Sequence, residues 1–100
     1  LDDGGDAGLI NFTLGNLYSR HGRWNDAQLA FFEAVRHQPD NADYLFNLAV
    51  SLDHIGQRKP AVDYYQQALT VADDSIAGFS TADVIARIQT INQRASSGAP

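Results

Sequence analysis

Apolar residues recur at helical spacing in five stretches of the chain, and glycine or proline separates most of these stretches. Gly22 follows the first stretch and suits the left-handed conformation that ends many helices. Pro39 follows the second stretch and cannot continue a helix. The pattern therefore predicts an all-α chain of five amphipathic helices. The apolar positions are Ile10, Leu14, Leu17 and Tyr18; Ala27, Ala30, Phe31, Ala34 and Val35; Leu45, Leu48, Ala49 and Leu52; Ala61, Tyr64, Tyr65, Ala68 and Leu69; and Val84, Ile85, Ile88 and Ile91.

Local signals indicate where the second to fifth helices begin. Asn25 and Gln28 have the spacing of a capping box, in which two side chains bond the first free backbone N–H groups. Residues 80–83 show a similar pattern before the fifth helix. Asn41 offers an N-cap oxygen for the third helix, and Pro60 suits the first helical position of the fourth.

The first two helices and the next two are related by an internal repeat. A shift of 34 residues aligns identical residues at chemically special positions, and it pairs Gly15 with the similarly small Ala49. Each unit is then a helical hairpin that needs a neighbour to bury its apolar face. The identical pairs are Phe12 with Phe46, Leu14 with Leu48, Gly22 with Gly56, Ala27 with Ala61, Ala34 with Ala68 and Asp40 with Asp74.

The repeated motif resembles that of the tetratricopeptide repeat family, W-x2-L-G-x2-Y, then A-x3-F, then P. In the first repeat Asn11 replaces the tryptophan, and in the second Asp73 stands where the family has proline. The resemblance covers about residues 8–75. It implies a right-handed α-solenoid of two helical hairpins closed by a capping helix. The matching residues are Leu14, Gly15, Tyr18, Ala27, Phe31 and Pro39, and then Leu45, Leu48, Ala49, Leu52, Ala61 and Tyr65.

Small and large residues support this packing independently of the resemblance. Gly15 and Ala27 lie at one level of the first hairpin, where two helices can approach closely only if both residues are small. Phe31 and Tyr65 are expected to fill the gaps between consecutive hairpins. The last helix is then needed to cover the end of the stack.

The composition at the two ends suggests a domain cut from a longer protein. The chain starts at Leu1, and both ends are rich in residues typical of flexible segments. The predicted division is a flexible lead-in at 1–7, a first repeat at 8–41, a second repeat at 42–75, a linker and capping helix at 76–95, and a flexible tail at 96–100.

Composition and charge narrow the classes of function. The chain is 44% apolar and 19% charged, as is usual for globular domains, and contains no cysteine, which removes disulfides and thiolate chemistry. A net charge of -5 argues against a nucleic-acid partner, because binding to the phosphate backbone needs an excess of cations. No apolar stretch is long enough to span a membrane, so membrane insertion is not expected.

Catalytic or metal chemistry is not indicated by the sequence. His21, His37 and His54 match no metal-binding spacing and lie near predicted helix ends, where solvent-facing or capping roles are expected. No arrangement of serine, histidine and aspartate suggests a nucleophilic triad. We therefore expect neither an enzyme nor a cofactor.

The resemblance also implies a binding surface, because in this family the first helix of each hairpin lines a concave groove. Phe12 and Phe46 occupy equivalent positions there, and two readings stay open: an apolar floor for a ligand, or filler at the edge of the core. Asn16 and Asn47 occupy positions that family members often use to hold a peptide backbone. The full set of expected peptide-binding residues is Phe12, Asn16, Ser19, Arg20, Asp43, Phe46, Asn47, Val50 and Asp53.

One subfamily binds terminal carboxylates with two asparagines and several basic side chains. Here Phe12 stands at the position of the first lysine, and the fifth helix has Ala82 and Asp83 where cations would be needed. We therefore expect this carboxylate clamp to be absent, and the groove to favour apolar and backbone groups of the ligand, with one basic ligand residue for Asp43 or Asp53.

The expected function is non-catalytic recognition of a partner protein or peptide in the concave groove. The alternative is self-association, either as a homo-oligomer or by stacking on the rest of a longer chain, through an apolar flank at Leu9, Ile10 and Leu17. The sequence also has the general character of bacterial repeat proteins, including scaffolds of pilus and secretion machines. A cytoplasmic or periplasmic setting is left open.

Overall fold

The computed structural model describes residues 4–72 and 77–97 of the chain. Within these residues it contains five α-helices and no β-strand, which confirms the predicted fold class. Asp73, the predicted departure from the family motif, and Asp74 lie outside the described residues. The helices are α1 (Gly4–Arg20), α2 (Trp24–His37), α3 (Ala42–His54), α4 (Arg58–Val71) and α5 (Thr81–Ser97).

The helices pack as two hairpins followed by a single helix. Helices α1 and α2 form the first hairpin, α3 and α4 form the second, α2 packs on α3, and α5 packs on α4. Each neighbour in the chain is therefore also a neighbour in space, as expected for stacked helical repeats. This order places α3 between the first hairpin and α5.

Both inter-helix turns within the hairpins end on a left-handed glycine, as predicted. Gly22 has a φ of 72° and Gly56 a φ of 85°, a region that residues with a Cβ rarely adopt. The backbone N–H of the following residue then bonds back into the helix: Arg23 to the Tyr18 carbonyl, and Gln57 to the Leu52 carbonyl. The two hairpins thus use the same turn.

The predicted helix starts were partly wrong. Asn41 caps α3 as predicted, because its Oδ1 accepts a hydrogen bond from the Tyr44 N–H at 3.1 Å. Ser80 likewise accepts from the Asp83 N–H before α5. Asn25, however, is not a cap, because α2 begins earlier, at Trp24, and its N-cap Arg23 makes no capping hydrogen bond with its side chain. Helix α4 likewise begins at Arg58, so Pro60 is its third residue and not its first.

The ends of the chain differ from the predicted division. Helix α1 begins at Gly4, inside the predicted lead-in at 1–7, and Asp6 lies in its first turn, where a carboxylate favours the helix dipole. Helix α5 continues to Ser97, inside the predicted tail at 96–100. Composition misled here because glycine and serine can extend a helix that is already nucleated by packed residues. The boundaries between the repeats stay a prediction.

The core is continuous from the first hairpin to α5. The ring of Phe31 is buried over Gly15, where any Cβ would overlap it, so the small residue makes room for the aromatic plug as well as for the partner helix. Tyr65 is buried at the equivalent position of the second repeat. The buried apolar residues are Ala27, Ala30, Phe31, Ala34, Val35, Tyr44, Leu45, Leu48, Ala49, Leu52, Ala61, Tyr65, Ala68, Val84, Ile88 and Ile91.

Equivalent residues of the two repeats differ in burial. Leu48 is 0% exposed, whereas its counterpart Leu14 is 39% exposed. In the same way Tyr44 is 6% exposed and its counterpart Ile10 is 61% exposed. The reason is that α2 packs on α3, while none of the described helices packs on the corresponding side of α1. The predicted stripe of the first helix is therefore only partly covered.

This difference predicts unequal costs for the same substitution in the two repeats. Leu48→Ala should lower the free energy of unfolding by about 2 to 5 kcal/mol, because it leaves a cavity in a closed core. Leu14→Ala should cost about 1 kcal/mol, since part of its side chain already contacts solvent. Urea denaturation of both variants measures the values, and equal losses would contradict the arrangement of the two hairpins.

Candidate functional site

A network of polar side chains joins α3, α4 and α5. Arg87 on α5 donates two hydrogen bonds of 2.6 Å to Asp53 on α3, from Nε to Oδ2 and from Nη2 to Oδ1. The Tyr65 hydroxyl on α4 donates to Asp53 Oδ2 at 3.0 Å. Arg58 at the start of α4 adds a longer ion pair, with its Nε 3.8 Å from Asp53 Oδ1. One buried carboxylate therefore accepts contacts from three cationic or hydroxyl groups.

This network changes the acidity of its members. Burial raises the pKa of Asp53, but hydrogen bonds from Arg87 and Tyr65 and the charges of Arg87 and Arg58 outweigh it, so the pKa lies below its ordinary value. Burial and the neighbouring Asp53 raise the pKa of Tyr65. Asp53 is therefore a carboxylate, and Tyr65 a neutral hydrogen-bond donor, at neutral pH.

Two adjoining cavities open beside this network. The first has a volume of about 380 Å³ and is lined by polar and charged groups, and the second has a volume of about 350 Å³ and is more apolar. Val50, Tyr65 and Arg87 line both, so the cavities are neighbours along one cleft between α3 and α5. The first is completed by Asp53, His54 and Arg58.

Aromatic rings form the floor of the apolar cavity. Phe46 on α3 stacks on Phe79, which precedes α5, with centroids 4.5 Å apart and planes within 10°. The Phe46 ring also lies 6.1 Å from the Tyr65 ring. Phe46 is half-buried, so it packs against the core and still borders open space. Both readings of this residue, as filler and as floor, therefore describe part of its surroundings.

The equivalent Phe12 has a different setting. Its ring lies 4.8 Å from the Tyr44 ring and 5.7 Å from the Phe31 ring, so it packs where the two hairpins meet. It lines neither of the two cavities of the cleft. Phe12 therefore packs at the edge of the core.

Several polar residues predicted for the groove bond to other parts of the chain. The Asn47 carboxamide donates to the Asp43 carbonyl at 2.8 Å, and the Asp43 carboxylate accepts from the Gly78 N–H at 2.8 Å. Asp43 thus ties the start of α3 to the segment before α5. The Ser19 hydroxyl donates to the Asn16 carbonyl at 2.9 Å within α1. These contacts leave the carboxamide oxygen of Asn47 without a donor among the described residues.

The structure therefore brings together only part of the predicted set. Phe46, Val50 and Asp53 line the cleft between α3 and α5. Asp43 and Asn47 on α3, and the residues predicted on α1, lie outside its two cavities. Of the two carboxylates predicted to meet a basic group of the ligand, Asp43 or Asp53, the structure corrects Asp53, because it is already paired with Arg87. The α1 residues in question are Phe12, Asn16, Ser19 and Arg20.

Sequence reasoning missed the cations Arg58 and Arg87 and the ring of Phe79 in this cleft. Arg87 lies between Val84 and Ile91 at helical spacing, directly before Ile88, so it borders the apolar face of α5. That spacing was a usable signal, but only the fold shows that Asp53 stands opposite. Ala82 and Asp83, at the positions where the carboxylate clamp would need cations, carry no positive charge. The cation Arg87 lies one turn after Asp83.

The structure supports no metal site or membrane span among the residues that it describes. In 4–72 and 77–97, no three histidine, aspartate or glutamate side chains are grouped so that they could hold a metal ion. None of the helices in these ranges is both long and apolar enough to cross a bilayer.

The ion pair predicts an acid-dependent loss of stability. Since the pKa of folded Asp53 lies below its ordinary value of about 3.9, its contribution is complete above that value and is lost as the pH falls through the folded pKa. Asp53→Asn should therefore flatten the decline in unfolding free energy between about pH 5 and pH 2. Urea denaturation across this range provides the measurement, with Asp63→Asn, an exposed position on α4, as control.

Arg87→Gln should lower the unfolding free energy at neutral pH by about 1 to 3 kcal/mol, because it leaves a carboxylate that is only 9% exposed without its bidentate donor. Arg94→Gln, at an exposed position of the same helix, should change it by less than about 0.5 kcal/mol. Equal effects of the two variants in chemical denaturation would contradict a specific role for the ion pair.

Comparison with known proteins agrees with this architecture. A family profile described as tetratricopeptide repeat matches residues 45–75, which include most of α3 and all of α4. The chain is 40% identical over 57 residues to the protein HemY of Escherichia coli strain K12, of Escherichia coli O157:H7 and of Shigella flexneri. That alignment covers 57% of this chain, which spans 14% of the length of these relatives. The profile match over residues 45–75 and the stacked helical hairpins support the resemblance of this chain to tetratricopeptide repeat proteins.

Proposed function

We propose that this chain is a non-catalytic protein-interaction module that binds a peptide or helix of a partner protein in the cleft beside α3. Tetratricopeptide repeats in general mediate contacts between proteins. The observation that carries the proposal is the open cleft between α3 and α5, which exposes both apolar rings and hydrogen-bonding groups without a described element to cover them.

The chemistry of the cleft suits a polypeptide. Phe46 and Val50 offer apolar surface in the cleft. Asn47 lies beside Phe46 on α3, outside the two cavities, and its carboxamide oxygen can accept a hydrogen bond from a backbone N–H. Clefts that combine apolar anchors with a few polar groups bind side chains and fix their orientation at the same time. Two repeats provide a small surface, so affinity on the order of micromolar is expected unless further domains add avidity.

The relatives favour a bacterial source for this chain but identify no binding partner. The HemY proteins come from bacteria, and we propose that this chain too is part of a longer bacterial protein. The comparisons give no support to the expected association with pilus or secretion machines. Selection from peptide libraries is therefore the direct route to a ligand.

The proposal predicts that groove variants lose binding to peptides selected on the wild-type protein. Phages displaying random peptides would be enriched on the immobilised chain, and the selected peptides titrated by calorimetry. Asn47→Ala and Phe46→Ala should each weaken affinity at least about fivefold, because they remove an acceptor and an apolar anchor.

Asn47→Ala separates binding from folding, since Phe46 also packs on the core and its loss can reduce stability. The melting temperature of Asn47→Ala should stay within a few degrees of the wild type. Gln66→Ala, at an exposed position of α4, serves as the control and should bind normally. Unchanged peptide affinity in both Asn47→Ala and Phe46→Ala would contradict binding in the groove.

A second candidate function is self-association, favoured by the apolar flank of α1. Ile10 is 61% exposed, and Leu9 and Leu17 are 57% and 42% exposed. Contiguous apolar surface of this kind is usually covered in the working assembly. The counterparts of Ile10 and Leu17 on α3, Tyr44 and Ser51, are covered in this chain by the first hairpin.

Sedimentation equilibrium over a wide concentration range tests this second candidate. Self-association predicts a mass that rises with concentration and returns to that of a monomer in Ile10→Ser, since a polar residue disrupts an apolar contact. Asn25→Ser, at an exposed polar position on α2, is the control and should associate like the wild type. A monomer at every concentration would exclude self-association.

A further inference from the structure

The polar cavity beside Asp53 carries an excess of positive charge. Its charged lining consists of one carboxylate, Asp53, and two guanidinium groups, Arg58 and Arg87. The formal charge is therefore +1, with His54 at the rim, although the chain as a whole carries -5. A local cationic site on an acidic protein attracts anionic groups to one defined place.

Both guanidinium groups keep unused donors. Arg87 bonds Asp53 through Nε and Nη2, which leaves its Nη1 without a hydrogen bond to any residue that the structure describes, and its side chain is 36% exposed. Arg58 is 51% exposed and lies 3.8 Å from Asp53, beyond hydrogen-bond distance. The buried carboxylate holds one guanidinium rigidly, and the other can turn toward a ligand. A second carboxylate can therefore be bound from the open side by charge-assisted hydrogen bonds.

The adjoining cavity defines the rest of the ligand. Its apolar surface includes Phe46, Phe79 and Val84, and it shares the Arg87 side chain with the polar cavity. Asp83 also lines this apolar cavity. A negative charge would be repelled there, so the arrangement orients a ligand with its anionic group at Arg58 and its apolar group at the rings.

We propose that this cleft binds a carboxylate of a partner polypeptide between Arg58 and Arg87, with an apolar side chain of the same partner against Phe46 and Phe79. The inference rests on the proposed peptide recognition and adds the chemistry of the partner. The carboxylate can belong to a chain terminus or to an acidic side chain, since both present the same two oxygens.

Three small probes distinguish these possibilities. N-acetylleucine carries a terminal carboxylate, N-acetyl-leucyl-glutamate amide carries a side-chain carboxylate, and N-acetyl-leucyl-glutamine amide is the neutral counterpart of the second. Each is titrated into the isotope-labelled 100-residue chain, and backbone amide signals are followed by NMR. At least one acidic probe should shift the signals around Val50, Asp53 and Tyr65, and the neutral probe should bind at least about fivefold more weakly.

Arg58→Gln is the decisive variant, because Arg58 is half-exposed and lies outside the short hydrogen bonds of Asp53. It should weaken the acidic probe about fivefold and leave the melting temperature nearly unchanged. Lys59→Gln removes the same charge from the next position, which lines neither cavity, and should bind like the wild type. Added salt should weaken only the acidic probes.

These experiments distinguish failure of the carboxylate site from failure of the proposed peptide recognition. Equal binding of the acidic and neutral probes, or equal losses in Arg58→Gln and Lys59→Gln, would overturn the carboxylate site. Library peptides that depend on Asn47, together with acidic probes that bind no better than the neutral probe, would leave peptide recognition standing and refute its proposed chemistry. If the acidic probes bind while no library peptide depends on the groove, the carboxylate site stands and the proposed peptide recognition by the groove is refuted.

Discussion

The bidentate contact between Asp53 and Arg87 is the interaction on which the candidate site depends. It joins α3 to α5 across the cleft, and the Tyr65 hydroxyl adds α4 to the same carboxylate. A buried carboxylate without such donors would cost several kcal/mol. The helix that carries Arg87 is therefore held in one position, and both cavities take their shape from that position.

The internal repeat explains why the two hairpins expose different surfaces. Equivalent residues adopt equivalent local structure, including the left-handed glycines at both turns. Their burial depends on what lies next to them: Leu48 is enclosed by the first hairpin, and Leu14 is not enclosed by any described element. A stack of repeats thus presents chemically distinct faces at its ends and along its side. The recognition proposed along the side and the association proposed at the end therefore use different surfaces.

The cleft combines features that are separate in the sequence. The cations come from the start of α4 and the middle of α5, the carboxylate from the end of α3, and the rings from α3 and the segment before α5. Each residue alone is an ordinary helical side chain. Their convergence produces a place with a local positive charge beside an apolar surface, on a chain whose net charge is negative. Such a combination gives a ligand both affinity and orientation.

The sequence by itself determined the five helices, their repeat and most of their buried residues, because periodicity, glycine at the turns and the cap Asn41 act over a few residues. It missed the starts of α2 and α4 and the extent of the two terminal helices, where local signals are weak. Only the tertiary structure decided that Arg87 meets Asp53, that Phe46 stacks on Phe79, and that Phe12 packs between hairpins. Those contacts depend on the distance and angle between helices, which no spacing along one helix specifies.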